Sequence, residues 1–109
     1  MARKSKFTFN DRKLPLTVHF GGYDCWIIAT EVVQHPGVVS KLQLWCDEGP
    51  MATATYGHPV MPQPQEVLIK SMRENTGLLE ALIEANIVAP PHAHRLVDGE
   101  LAPVCLLLC

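Results

Sequence analysis

Three turn signals divide the first half of the chain into short segments. They are Gly21-Gly22, His35-Pro36-Gly37 and Asp47-Glu48-Gly49-Pro50. Glycine tolerates the positive φ of tight hairpin turns, and such turns join antiparallel strands that follow each other along the chain. The segments between the turns are rich in alternating or β-branched residues, which favours strands. The sequence therefore predicts an antiparallel meander with strands over 14–20, 23–33, 38–46 and 51–56.

The second half of the chain contains the one predicted helix. Three prolines within residues 57–65 predict an extended crossing loop, because proline removes a backbone donor and fixes φ. A short strand is predicted over 66–70. Leucine and isoleucine then recur at helical spacing over 77–85, which predicts an amphipathic helix with its glutamates in water. Asn75 or Thr76 is expected to cap the start of this helix, and Asn86 suits the left-handed position at its end.

A hairpin is predicted to close the fold. The sequence predicts a strand over 94–97, a turn at Asp98-Gly99 and a strand over 101–108. The continuous apolar run 104–108 is expected to be a buried strand. The predicted fold class is therefore α+β, with a twisted antiparallel sheet (the meander plus the C-terminal hairpin) and one short helix packed on a face.

Composition favours a folded protein in the cytoplasm. Hydrophobic residues make up 48% of the 109 residues and charged residues 18%, a globular balance that argues against disorder. No apolar stretch reaches the roughly 18 to 20 residues that a membrane span needs. The basic start of the chain lacks the apolar core of a signal peptide, which predicts that the protein is not exported.

Charge is uneven along the chain. Residues 1–13 hold five basic residues against one acid, a net charge of +4, whereas 14–109 hold four against ten, a net charge of −6. This pattern predicts a basic N-terminal arm over 1–13 and a single acidic domain over 14–109. The basic side chains of the arm are Arg3, Lys4, Lys6, Arg12 and Lys13.

The reactive side chains do not form a known catalytic motif. Cys25 and Cys46 stand in apolar strand segments and are expected to be buried thiols. His92 and His94 supply two potential metal ligands, but a catalytic zinc needs three protein ligands and a structural zinc four. Because no phosphate loop, nucleophile elbow or zinc-binding motif is present, the sequence predicts a protein that is not an enzyme and uses no cofactor.

Residues 52–88 carry a resemblance to a family. Ala52-Thr-Ala-Thr, the proline-rich loop, Glu66-Val-Leu-Ile-Lys70 and then Glu74-Asn75-x-Gly77-Leu-Leu-Glu-Ala-Leu-Ile-Glu-Ala-x-Ile-Val88 resemble small, mostly uncharacterised phage- and plasmid-borne proteins. The sequence departs from their pattern at Thr76 and Asn86, where an acid and a glycine are expected. The resemblance implies a mobile-element origin, and small proteins of this kind often bind and block host defence, anti-CRISPR proteins included.

The leading functional hypothesis is therefore a protein that inhibits a host defence protein or complex, such as CRISPR-Cas, by protein–protein contact. An acidic face is expected to meet a basic partner, with an aromatic sheet surface as the alternative contact. The predicted contact residues are Glu74, Glu80, Glu84, Asp47, Glu48, Tyr23 and Trp45, and the aromatic alternative adds Trp26 and Tyr56. The rival hypothesis is a nucleic-acid-binding accessory protein that uses the basic arm. A small metalloenzyme is the third functional hypothesis. The oligomeric state is a separate question, and the sequence leaves open a homodimer.

Overall fold

The first half of the chain forms the predicted meander. The structure is a computed structural model that describes residues 7–56 and 63–109. Four antiparallel strands pair in chain order: β1 (Phe9–Phe20), β2 (Tyr23–Val32), β3 (Val39–Cys46) and β4 (Gly49–Thr53). Gly21 and Gly22 form the first hairpin turn with φ of 63° and 84°, values that glycine adopts without strain.

The second half of the chain adds a separate antiparallel sheet. Its strands are β5 (Glu66–Leu68), β6 (Ala93–Val97) and β7 (Glu100–Leu106), in the order β5-β7-β6. The predicted turn between β6 and β7 is confirmed, because Asp98 and Gly99 both adopt positive φ. The α+β class with antiparallel sheets is likewise confirmed. The closing hairpin and β5 form a sheet of their own, and an isolated antiparallel bridge between Thr55 and Ile69 lies where the chain passes from the meander to this sheet.

The predicted helix is confirmed as α1 (Leu78–Glu84), preceded by one 3-10 turn over Arg73–Asn75. Asn86 has the predicted left-handed φ, at 60°. The predicted cap is wrong: Gly77 occupies the N-cap position with φ of 87°, and no side chain caps the helix. The reason is that both candidates are used elsewhere, since Thr76 Oγ1 donates to the carbonyl oxygen of Arg73 and Asn75 reaches back to β4.

The larger of two hydrophobic clusters joins the meander, α1 and the second sheet. The inward residues of the meander pack with the apolar stripe of α1 and with the inward side of the second sheet. Leu42 of β3, Leu82 of α1 and Ile69 are fully buried members of this core. Cys25 and Cys46 are buried free thiols, as predicted. Burial raises the pKa of Cys105, a further buried thiol, to about 11.

The start of the first strand and the burial of the C-terminal apolar run differ from the prediction. β1 begins at Phe9, so residues 9–13, which were expected in the arm, belong to the sheet. Side-chain pairs across β1 and β2 explain this: Arg12 Nε lies 2.6 Å from Glu31 Oε1, and Thr30 Oγ1 donates to Asp11 at 2.7 Å. The run 104–108 is only partly buried, because its side chains alternate between the two sides of the strand and Leu106 stays 42% exposed.

Within residues 7–56 and 63–109, no helix is both long enough and apolar enough to cross a membrane.

Candidate binding surface

Two tryptophans meet on the side of the meander that faces away from the core. Trp26 of β2 lies directly opposite Trp45 of β3 in the antiparallel register. Their neighbours Cys25 and Leu44 point into the core, so both indole rings project from the other side of the sheet. We call this side the outer sheet face, and define it by Lys13, Thr17, Trp26, Ile28, Gln43 and Trp45.

The register continues this face across all four strands. Thr17 of β1 lies opposite Trp26, and Pro50 of β4 lies opposite Trp45. In the next row, Ile28 pairs with Gln43. Directly opposed residues have Cβ atoms about 4.5 to 5.5 Å apart, so the side chains form a continuous patch. The centre of the patch is aromatic, aliphatic and uncharged.

Most charges of the outer sheet face lie at its margins and have partners; Lys41, exposed on β3 opposite Thr30, forms no ion pair within the described residues. Lys13 Nζ is 5.3 Å from the centroid of the Trp26 ring, a cation–π contact. At one end of the sheet, Asp11 accepts the hydrogen bond from Thr30. At the other end, His19 Nδ1 lies 3.0 Å from Asp24 Oδ1. The face therefore offers a partner no strong field of one sign.

The described elements pack on the opposite side of the meander. Leu78 and Leu82 of α1, with Val67 of β5, share one cluster with the inward residues of β2 and β3. Neither tryptophan belongs to a core cluster, and both rings are partly exposed. Within the part of the chain that the structure describes, no helix or strand covers the outer sheet face. It is a sheet surface that presents large aromatic side chains to solvent.

The other two aromatic candidates lie elsewhere. Tyr23 is 43% exposed at the start of β2, opposite Phe20. Tyr56 packs on the small core of the second sheet, and its hydroxyl donates to Glu100 Oε2 at 3.0 Å. Burial first, and then the hydrogen bond to Glu100, raise the pKa of Tyr56, so the phenol keeps its proton. Trp26 and Trp45 are thus the aromatic candidates that the fold brings together.

The predicted acidic contact residues occupy three separate elements. Glu80 and Glu84 are exposed on α1, Asp47 and Glu48 are exposed in the turn between β3 and β4, and Glu74 is exposed in the 3-10 turn. The exposure of both helix glutamates agrees with the amphipathic pattern. That these carboxylates form one contact surface stays a prediction.

The basic residues of the predicted arm are divided. Arg3, Lys4 and Lys6 lie outside the described residues. Arg12 is held in the sheet by Glu31, and its Nη2 also donates to the carbonyl oxygen of Cys109 at 3.4 Å. Lys13 is the cation over Trp26. The two described bases therefore already have partners within the fold.

A polar cleft of about 490 Å³ lies beside the second sheet. Tyr56, Arg73 and Glu100 line it, with Arg73 Nη2 3.4 Å from Glu100 Oε1. Arg73 has a left-handed φ of 58°, an uncommon conformation for a residue with a side chain. Sequence reasoning missed this cleft, because Tyr56 and Glu100 are 44 positions apart and no local pattern links them.

The two candidate histidine ligands have different surroundings. His92 Nε2 lies 2.9 Å from Glu66 Oε2, whereas His94 lies in β6 opposite Pro103. Among residues 7–56 and 63–109, no three histidine, cysteine or acidic side chains lie close enough together to hold a metal ion.

Comparisons of the chain with protein-family models, with curated proteins and with solved structures find no match. The resemblance to phage- and plasmid-borne proteins therefore stays a prediction. Both tryptophans of the chain lie on the outer sheet face.

Proposed function

We propose that the protein is a binding protein, rather than an enzyme, and that it engages a host protein through the outer sheet face. The observation that carries the proposal is the direct opposition of Trp26 and Trp45 on a sheet face that no described element covers. Tryptophan is enriched among the few residues that supply most of the binding energy at protein interfaces. Two of them on adjacent central strands form a preorganised anchor.

A protein partner suits the charge of this face better than a nucleic acid. The centres of protein interfaces are depleted in charged residues and enriched in aromatic ones, and the outer sheet face has this composition. Nucleic-acid binding depends on several cations that are available to phosphates. Lys13 is engaged with Trp26, and Arg12 with Glu31, so the two described bases of the predicted arm are poorly placed for that role.

The partner we propose belongs to a host defence system, such as a CRISPR-Cas complex. This part of the proposal rests on the resemblance of residues 52–88 to mobile-element proteins. The sheet supports it physically, because a preformed surface blocks another protein without an ordering cost at the time of binding. An inhibitor of this kind needs only to occupy the partner's working surface.

The test compares two single variants of the full chain. Trp45→Ala is expected to weaken the free energy of binding to the host complex by at least about 2 kcal/mol, the loss typical of an interface anchor. The same variant is expected to lose its protection of phage in a host that carries the defence system. Tyr23→Ala is the matched control, since Tyr23 is an exposed aromatic residue outside the outer sheet face. Full capture and full protection by Trp45→Ala and by Trp26→Ala would contradict the proposal.

A second measurement separates the rival hypothesis. Fluorescence anisotropy with labelled random DNA and RNA at low salt is expected to show little binding. Tight, salt-sensitive binding that disappears when residues 1–8 are deleted would instead support the basic arm as a nucleic-acid site. That deletion removes Arg3, Lys4 and Lys6 and leaves β1 intact.

A further inference from the structure

We propose that the open edge of β6 pairs with the same edge of a second copy of this chain. The two-fold axis of the resulting dimer then lies between the Leu96 residues of the two copies. Among the strands that the structure describes, β6 is the terminal strand of the second sheet and pairs only with β7. A terminal strand presents unpaired backbone groups that can template pairing with another chain. This surface is distinct from the outer sheet face.

The backbone groups available at this edge belong to His94 and Leu96. On β7, the carbonyl oxygen of Val104 accepts a hydrogen bond from the N–H of His92, the residue just before β6. The carbonyl oxygen of Pro103 instead accepts one from the N–H of Ile69, the residue just after β5. Because the hydrogen-bonding direction alternates along a strand, Ala93 and Arg95, which lie opposite Val104 and Ala102, bond to β7. His94 and Leu96 therefore direct their N–H and C=O groups outward.

The surface beside this edge carries apolar side chains that are exposed to solvent. Leu96 of β6 lies directly opposite Leu101 of β7. At 67% and 64%, these two leucines are the most exposed large hydrophobic side chains in the described part of the chain. Pairing about Leu96 places the row Leu101–Leu96 end to end with the same row of the second copy. Four leucines then share one face of a continuous six-stranded sheet, as cross-strand apolar pairs do in stable sheets.

Charge selects the register of the pairing. Two of the antiparallel registers that use the outward groups of His94 and Leu96 centre on Leu96 and on Arg95. Centring on Arg95 sets two guanidinium groups opposite each other, and like charges in that position are destabilising. Centring on Leu96 instead sets His94 beside the partner subunit's Asp98. Both of these side chains are exposed, and neither forms an ion pair within the described residues.

The first test measures the oligomeric state of the full chain by sedimentation velocity over a wide range of concentration. A five-residue strand makes a small interface, so we expect a weak, reversible dimer. Leu96→Asp is expected to raise the dissociation constant at least about tenfold, because it buries an unpaired charge. Leu16→Asp is the control, since Leu16 is also exposed but lies on β1. A wild-type chain that stays monomeric, or an unchanged dimer in Leu96→Asp, would overturn the proposal.

The second test measures the register by cross-linking under mild oxidation with glutathione. In a Cys109→Ser background, the cysteines that remain are buried. Leu96→Cys should form a disulfide dimer, because opposed Cα atoms in a hydrogen-bonded pair are about 5.5 Å apart, within disulfide range. Arg95→Cys should not, because the same register separates the two substituted Cα atoms by about 8 Å. Cross-linking of Arg95→Cys without that of Leu96→Cys would overturn the proposed axis.

Discussion

The side-chain amide of Asn75 donates a hydrogen bond to the backbone carbonyl oxygen of Thr53 across 2.8 Å. The same nitrogen donates to the carbonyl oxygen of Lys70 at 3.0 Å. Asn75 is 3% exposed, so it fixes the segment before α1 to the end of β4 from inside the protein. It serves as a buried cross-link between the end of β4, the segment after β5 and the turn before α1.

Replacing Asn75 by alanine should therefore destabilise the fold. The substitution leaves two carbonyl groups without their donor, and an unsatisfied buried polar group costs about 1 to 3 kcal/mol. Thr76→Ala is the matched control, because it removes one exposed hydrogen bond from the adjacent position and should change stability by less than about 1 kcal/mol. Urea unfolding measures both. Equal losses would show that the amide of Asn75 is not a structural cross-link.

Replacing Leu82 by alanine should lower the melting temperature strongly. Leu82 is completely buried between α1 and the meander, and large-to-small substitutions at such positions cost about 2 to 5 kcal/mol. Glu84→Ala, two positions later and exposed, should change stability little. A melting curve for Leu82→Ala that matches the wild type would contradict the packing of α1 on the core.

Reversing the charge of Glu80 and Glu84 tests the acidic face. The double variant Glu80→Lys/Glu84→Lys should melt close to the wild type, because exposed helix charges contribute only a few tenths of a kcal/mol each. We expect it to retain capture of the host partner, since the tryptophans lie on the other side of the sheet from α1. Loss of capture with unchanged melting would move the contact to the helix.

The stability of the protein should fall in alkaline solution. Burial raises the pKa of Cys105 from 9.0 to about 11, so between these values the unfolded chain has released a proton that the folded chain keeps. The free energy of unfolding must then decrease as pH rises through this range and be unaffected by this thiol below pH 9. Cys105→Val removes the group and should flatten this part of the pH profile measured by chemical unfolding. Parallel profiles for the two proteins would refute the assignment.

Local sequence signals predicted much of the fold. The turns at Gly21-Gly22 and Asp98-Gly99 joined strands adjacent in sequence, and hairpin pairing follows directly from such turns. The pairing of Glu66 with Leu106 is different, because it joins segments 40 positions apart, and strand pattern alone does not specify distant partners. The second sheet was therefore missed as a separate unit.

The outer sheet face could be predicted only in part, because it too depends on how strands pair. Trp26 and Trp45 were each visible as aromatic residues in strands, but their direct opposition depends on the register of β2 against β3. A shift of one residue would have sent one ring into the core. The charge of residues 9–13 predicts an arm, because charge alone does not show that Arg12 pairs with Glu31 across the sheet.

The central position of β7 sets an order of assembly during synthesis. Both β5 and β6 pair only with β7 among the described strands, and β7 follows them in the chain. A ribosome that has released residues up to Val97 has made the whole meander, which can close through neighbouring hairpins, but has left β5 and β6 without a pairing partner. Contacts between distant segments form slowly, and unpaired strands invite aggregation. We therefore expect the second sheet to form later than the meander, with β5 and β6 exposed to aggregation until β7 pairs with them.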